Sequence, residues 1–186
     1  MSGIICISHR EDVDGLSSAS LIKAAFDTVS VMLVDYSSLI TKLEKIVSLS
    51  SNGPSNAFSK TKYKAVDRLF ICDLGLSKKN ERKFIEIVEK IVSNGCKVIY
   101  IDHHDLSKES LDSLKTIGVV FVHSIDECTT VQIYNKYKRR LDSNAVFLAA
   151  AAALTDYMEN KPIASSLVAR FDRHFLMLEA TALSYM

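Results

Sequence analysis

Residues 84–105 read FIEIVEKIVSNGCKVIYIDHHD, and this stretch decides the fold. In its first half Phe84, Ile87, Val88, Ile91 and Val92 recur at the spacing that gathers apolar side chains on one face of an α-helix. Asn94-Gly95 stops that helix, because glycine readily takes the left-handed conformation a helix end needs. Lys97–Ile101 is then a short apolar run, read as a strand, and it ends in Asp102-His103-His104-Asp105. A helix that turns into a strand with polar, titratable residues at its carboxyl end is the repeating unit of an α/β protein.

The same alternation extends in both directions. Upstream, Gly3–Ser8 reads as a buried strand, followed by an acidic loop and a helix from about Leu16 to Asp27. Val29–Val34 is a second strand, and about Ser38 to Leu49 a second helix. Ser50 to Lys64 is rich in Ser, Asn and Lys, contains Gly53-Pro54, and reads as a long loop. Leu69–Cys72 is a third strand, ending at Asp73. Downstream, a helix near Lys108–Lys115 leads to a fifth strand, Val119–Val122; beyond Asp126 helices are expected over about Thr129–Arg140, Ser143–Met158 and Ile163–Tyr185. The expected fold is α/β: a five-stranded, mostly parallel sheet with helices on both faces, followed by a helical carboxyl-terminal segment. Residues 1–158 form the expected main domain, and 159–186 a helical linker or interface segment.

Composition narrows the class. The chain has 186 residues, enough for one domain with a real core, and 48% of them are hydrophobic and 24% charged. The formal net charge of +1 sets up no global field toward nucleic acid or membrane, so any such preference must come from local patches. The apolar stretch Gly3–Ile7 is too short for a signal peptide, and Ala145–Leu154 is too short to span a bilayer. Cys6, Cys72, Cys96 and Cys128 form no CxxC pair and read as reduced core residues of a cytoplasmic protein, not as a zinc site.

Open parallel sheets place ligand chemistry at the carboxyl ends of their strands. After the first strand stand Ser8-His9-Arg10-Glu11-Asp12-Val13-Asp14-Gly15, after the third Asp73-Leu74-Gly75, and after the fourth Asp102-His103-His104-Asp105; a further acid, Asp156, lies within the apolar stretch 149–157. Any one of these acids has about an even chance of being a helix cap. Together they are different. Carboxylates crowded at one sheet edge repel and raise one another's pKa, whereas divalent cations remove that penalty. Oxygen and imidazole ligands suit manganese, magnesium or zinc. Asp12 and Asp14, two residues apart in an extended loop, diverge toward different metals; Gly15 permits a tight turn behind them; and one carboxylate such as Asp73 has the two oxygens needed to bridge a pair of cations. Cations about 3.5–4 Å apart clamp a phosphate and polarise a shared water.

These motifs resemble those of the DHH phosphoesterase superfamily: His9, Asp12, Asp14 and Gly15 as the first, Asp73-Leu74-Gly75 as the second, Asp102-His103-His104 as the third, and Asp156 as the fourth, over roughly Ile4 to Tyr157. The resemblance implies that His9 and Asp12 hold one metal, that Asp14, His103 and Asp156 hold the other, and that Asp73 bridges them. It implies that His104 contacts the phosphate or assists the leaving group, that Asp102 orients a histidine, and that a metal-bridging hydroxide attacks. Manganese is the implied metal, with magnesium the alternative. The implied substrates are nucleotides or single-stranded nucleic acid, as for a RecJ-like exonuclease, an oligoribonuclease or a cyclic-dinucleotide hydrolase. The alternatives are a non-catalytic scaffold of a replication or repair assembly and a phosphomonoesterase or pyrophosphatase.

Two departures from the family pattern stand out. His9 precedes Asp12 by three residues where many members have four, which shortens the loop. There is also no glycine after Gly118, so the glycine-rich second domain of most members is expected to be absent: the chain reads as a fragment, a minimal version, or one that borrows its second half.

Other features have plainer readings. Lys136, Lys138, Arg139 and Arg140 are read as a solvated face in preference to a nucleic-acid contact, and Lys60, Lys62 and Lys64 with Tyr63 as part of a mobile loop. His123 and His174 are read as non-ligands. Ser17 and Ser18 are equally suited to capping and to phosphate binding. The apolar last helix (Phe171, Phe175, Leu176, Leu178, Leu183, Tyr185) is read as an interface for a missing domain or a second copy if nothing covers it.

Overall fold

The structure, a computed structural model, describes residues 3–50 and 66–185. The lysine-bearing loop expected over 50–64 therefore falls, apart from Ser50, outside the described residues. Five strands, β1 (Gly3–His9), β2 (Val29–Val34), β3 (Val66–Cys72), β4 (Lys97–Asp102) and β5 (Val120–His123), form one sheet in the order β2-β1-β3-β4-β5. Every pairing among them is parallel, so the sheet is wholly and not just mostly parallel. Helices α1 (Val13–Ala25), α2 (Leu39–Ser50), α3 (Lys78–Ser93) and α4 (Lys108–Thr116) connect the strands. They are followed by α5 (Thr129–Tyr137) with a 3-10 turn at Lys138–Arg140, α6 (Ala145–Thr155), α7 (Pro162–Val168) and α8 (Arg173–Ser184).

Alternating strand residues feed two cores. Ile5, Ile7, Leu69, Ile71, Val98 and Tyr100 face α2, α3 and α4, where Leu43, Phe84, Val88, Ile91 and Leu114 meet them. Cys6, Phe70, Cys72, Ile99 and Ile101 point the other way, onto Ala19, Ile22 and Ile133 of α1 and α5. A third apolar layer joins α5 to α8 around α6. Ala149 to Ala153 are fully buried there, and α6 packs against α1, α5, α7 and α8. Alanine all round lets four neighbours approach one helix, which is why this segment is apolar on every face.

The expected last helix, Ile163–Tyr185, is two helices. The Glu127 carboxylate accepts from the backbone N–H groups of Ile163 and Ala164 and so caps the start of α7, and Asp172 accepts from Phe175 N (2.9 Å) and starts α8 afresh. Two caps make two helices where periodicity alone suggests one. α8 buries Leu176 and Ala180 against α6, while Phe175, Met177, Leu178 and Tyr185 stay exposed. Among the described residues no helix is long and apolar enough to cross a membrane.

The strand order positions the site. The chain runs from β1 outward to β2, then returns to the other side of β1 as β3. The loops leaving β1 and β3 therefore diverge, and a crevice opens above the carboxyl ends of these two strands.

Candidate metal centre

β1 delivers His9 as its last residue, and α1 begins four residues later. Asp12 caps α1, accepting from Gly15 N through Oδ1 (2.8 Å), and its Oδ2 lies 2.8 Å from His9 Nδ1. This cap starts α1 at Val13, earlier than apolar spacing predicts. Gly15 is needed for close approach more than for turning: a Cβ there would stand 2.4 Å from the His9 carbonyl oxygen. Ser8 Oγ donates to Gly15 O (2.7 Å) and fastens the loop to the strand.

Asp14, in the first turn of α1, is buried and points at the start of α5. Its Oδ2 accepts from Thr129 N (2.9 Å) and its Oδ1 from Thr130 N (2.8 Å). Free N–H groups and the dipole at a helix start favour a carboxylate there. Thr130 Oγ1 donates to Asp14 O (2.8 Å) and also meets Ser18 Oγ (3.0 Å). Ser18 thus serves packing and not phosphate, and Asp12 does the capping.

Asp73 follows β3 with φ +54, a left-handed conformation uncommon for a side-chain-bearing residue. Its N–H still donates across the sheet to Ile101 O (3.1 Å), so the strand pairing continues while the side chain turns into the crevice. Such an outlier is the local strain functional sites often carry. Thr129 Oγ1 donates to Asp73 Oδ1 (3.3 Å).

β4 delivers the third group. Tyr100 OH donates to Asp102 Oδ2 (3.0 Å) and Leu74 O (2.7 Å), and Asp102 Oδ1 lies 2.8 Å from His104 Nδ1. Gln132 Nε2 donates to Asp102 O (3.1 Å), tying α5 to the end of β4. His103 Nε2 lies 3.4 Å from Asp73 Oδ1, 3.5 Å from Asp156 Oδ2 and 3.9 Å from Asp14 Oδ2. Asp156 reaches the crevice from the carboxyl end of α6. On the opposite side, Asp73 Oδ2 lies 3.9 Å from His9 Nδ1.

The side chains proposed from sequence thus converge: His9, Asp12 and Asp73 form one compact group, Asp73, His103 and His104 a second, and Asp14 and Asp156, with Cys128, a third. Asp73 belongs to two of them. His123 stays outside as a buttress, its Nε2 2.7 Å from His104 O, and His174 is exposed on α8.

Charge and hydrogen bonding in this cage are unbalanced. Burial first, then the charges of Asp14, Asp12 and Asp102, push Asp73 up to about 10. Burial and Asp14 push Asp156 up to about 6, with His103 pulling the other way. For His104, burial pulls its pKa down, but the hydrogen bond and charge of Asp102 outweigh that and raise it overall. Among the described residues, four buried side-chain polar atoms lack a partner: His9 Nε2, Asp73 Oδ2, Asp156 Oδ2 and Gln132 Oε1. The first three belong to the cage. A buried, unmatched acceptor costs on the order of 1–3 kcal/mol, and a divalent cation offers these atoms the partner they lack. The donor set fits divalent metal ions.

Several neighbours of the cage were not anticipated from sequence. Thr129 and Thr130 carry only the weak signal of lying at an expected helix start. Tyr36, after β2, carries none: its OH lies 3.3 Å from His104 Nε2 and its ring packs 4.4 Å from that of His9. A hollow of about 120 Å³, lined by Tyr36, Leu39, Gly75, Leu76, Ser77 and Asn80, opens beside them. A larger hollow of about 460 Å³ between α3 and α4 contains none of the cage residues.

Residues 3–164 match the model described as the DHH family, N-terminal domain. No match was found among curated proteins. Among solved structures the chain is similar to an uncharacterized protein from Helicobacter pylori G27, at 16% identity and a TM-score of 0.57, over 83% of this chain and 42% of that one. At that identity the likeness shows the fold alone, and the chain spans less than half the length of this relative.

Proposed function

Because the chain belongs to the DHH family, which is of phosphoesterase type, we propose that it hydrolyses phosphodiester bonds of nucleotides or short oligonucleotides with the help of two divalent cations, manganese or magnesium. The observation that carries this reading is the position of Asp73, with one oxygen toward His103 and the other toward His9. A carboxylate shared in that way suits a bridge between paired cations.

On this reading His9, Asp12 and Asp73 hold one cation, and Asp14, His103, Asp156 and Asp73 hold the other. When bound, the cations would supply Lewis acidity, neutralising phosphate charge and making a water nucleophilic near neutral pH. The remaining work belongs to the chain. Asp102 holds His104 by Nδ1 and thereby aims Nε2 at the crevice. Its charge favours the protonated ring, so Nε2–H can donate to a phosphoryl oxygen or to the leaving oxygen. Tyr100 and Gln132 hold Asp102 in place. Burial keeps the Tyr36 hydroxyl protonated, leaving it a donor beside the same nitrogen.

Purified full-length chain with manganese should cleave a chromogenic phosphodiester, and Asp73→Ala should abolish cleavage; activity surviving in that variant refutes the bridging role. Product analysis on a dinucleotide against pyrophosphate separates a phosphodiesterase from a pyrophosphatase.

A further inference from the structure

Cys128 is the residue of the cage that the ligand set above leaves unused. It stands at the N-cap of α5, where Ser, Thr, Asp or Asn is favoured because the side-chain oxygen caps the helix. A sulfur caps only weakly, and the polar neighbours of this one are the backbone N–H of Val131 and the Asp14 carboxylate. Cys128 is fully buried, packed on one side by the apolar layer of Val13, Val131 and α6. Its Sγ also lies within 4.8 Å of a carboxylate oxygen of Asp14 and of Asp156, and those two oxygens are as close to each other. Asp156 Oδ2 is buried without a hydrogen-bond partner. His103 Nε2 faces Asp14, Asp73 and Asp156 together. Sulfur and two carboxylates at mutual ligand spacing, with an imidazole facing the same two carboxylates, are what a borderline-soft cation prefers, whereas magnesium demands oxygen.

We propose that the Cys128 thiolate is a ligand of the cation held by Asp14, His103 and Asp156, and that it biases this half of the cage toward zinc- or cobalt-class metals over magnesium. This rests on the reading that the cage holds cations. The sulfur–metal bond forms as the S–H bond breaks, its proton passing to solvent, with no change of oxidation state. Without a cation, burial and the Asp14 charge keep the thiol protonated. The two halves of the site then differ in chemistry: the half built on His9 and Asp12 has nitrogen and oxygen donors only, and the other adds sulfur.

Anaerobic titration of the full-length chain with Co²⁺ tests this without reference to activity. The expected result is visible d–d absorption together with a near-ultraviolet thiolate-to-cobalt charge-transfer band that saturates at one equivalent. Cys128→Ser and Cys128→Ala should both lose the charge-transfer band and keep the d–d bands. Both should also lower zinc affinity, relative to magnesium, by roughly 10–100-fold or more, since removing even an outer-sphere partner costs that much. Circular dichroism of both variants in chelator checks that they fold, and the serine variant, nearly isosteric, is the one on which the result rests. Visible bands without a charge-transfer band in the unaltered chain overturn the Cys128 proposal while leaving the cation cage intact. A charge-transfer band that persists in both variants also overturns it, by assigning the sulfur elsewhere. No cobalt spectrum at all sinks the cage reading and this inference with it.

Discussion

The Cβ that Gly75 lacks would stand 2.8 Å from Cγ of His104, closer than such atoms come in folded proteins. Gly75 is therefore the floor on which the His104 ring rests, and Asp102 is the wall that turns it. Gly75→Ala should push the ring out of line while leaving the other cage residues in place. Displacing a catalytic group by about 1 Å can cost on the order of 10²-fold in rate. The expected outcome is a loss of that size in kcat with manganese affinity, measured by titration calorimetry, close to that of the unaltered chain.

Gly15→Ala should behave differently, because its clash is with backbone. The added methyl would meet the His9 carbonyl oxygen at 2.4 Å, and neither the strand end nor the first turn of α1 can yield without disturbing Ser8, Asp12 and Asp14. Overpacking of this kind costs about 1–3 kcal/mol. For a chain of this size that is a fall in Tm of roughly 2–4 °C per kcal/mol, readable by calorimetry. An unchanged Tm would contradict the close packing of β1 on α1.

The metal-free cage should make the protein less stable as pH rises. Asp73 and Asp156 titrate at about 10 and about 6, both above the ordinary aspartate value of 3.8, so the folded chain binds more protons than the unfolded one between those limits. A raised carboxyl pKa stabilises fully below the unfolded value and is lost as pH climbs through the folded one. In chelator, Tm should fall from pH 5 toward pH 10, with the Asp156 contribution spent once pH passes about 6 and that of Asp73 continuing to about 10. Asp73→Asn removes the most strongly shifted group, so its metal-free Tm should be higher than that of the unaltered chain at pH 8 and its slope shallower. Saturating manganese should reverse the trend in the unaltered chain, since cations bind the ionised form. A Tm in chelator that rises over the same range rules out this account.

Asp102 should set the alkaline limit of activity. Its hydrogen bond and charge hold His104 above the ordinary histidine value, against the pull of burial. With Asp102→Asn the imidazolium loses that support, burial wins, and His104 gives up its proton at lower pH. If the protonated ring is the donor, the alkaline limb of kcat moves to lower pH, and the rate at neutral pH falls by roughly 10²–10⁴-fold, the range general acid catalysis supplies. A pH–rate profile whose alkaline limb stays in place excludes His104 as the proton donor.

Much of this molecule is legible in a line of letters. The helix over Phe84–Val92, the strand after Gly95 and the acids behind three strands are local features, and local features are set by residues a few positions apart. A parallel sheet then requires all its carboxyl ends to lie on one edge, so His9, Asp73 and Asp102 share that edge before any coordinate is known, and the strand order β1-β3-β4 makes them neighbours. The rest depends on contacts between distant parts of the chain. Thr129 and Thr130 receive Asp14 from 115 and 116 residues away, and Tyr36 meets His104 across 68. No periodicity encodes such pairs; they follow from how α5 and the loop after β2 pack once the core closes. The break between α7 and α8 is a local feature that apolar spacing hides: Asp172 accepts from Phe175 N, three residues on, and starts α8 afresh. Short-range pattern picked out the acids and histidines at the strand ends, and long-range burial decided which of their atoms are satisfied by protein and which are left without a hydrogen-bond partner.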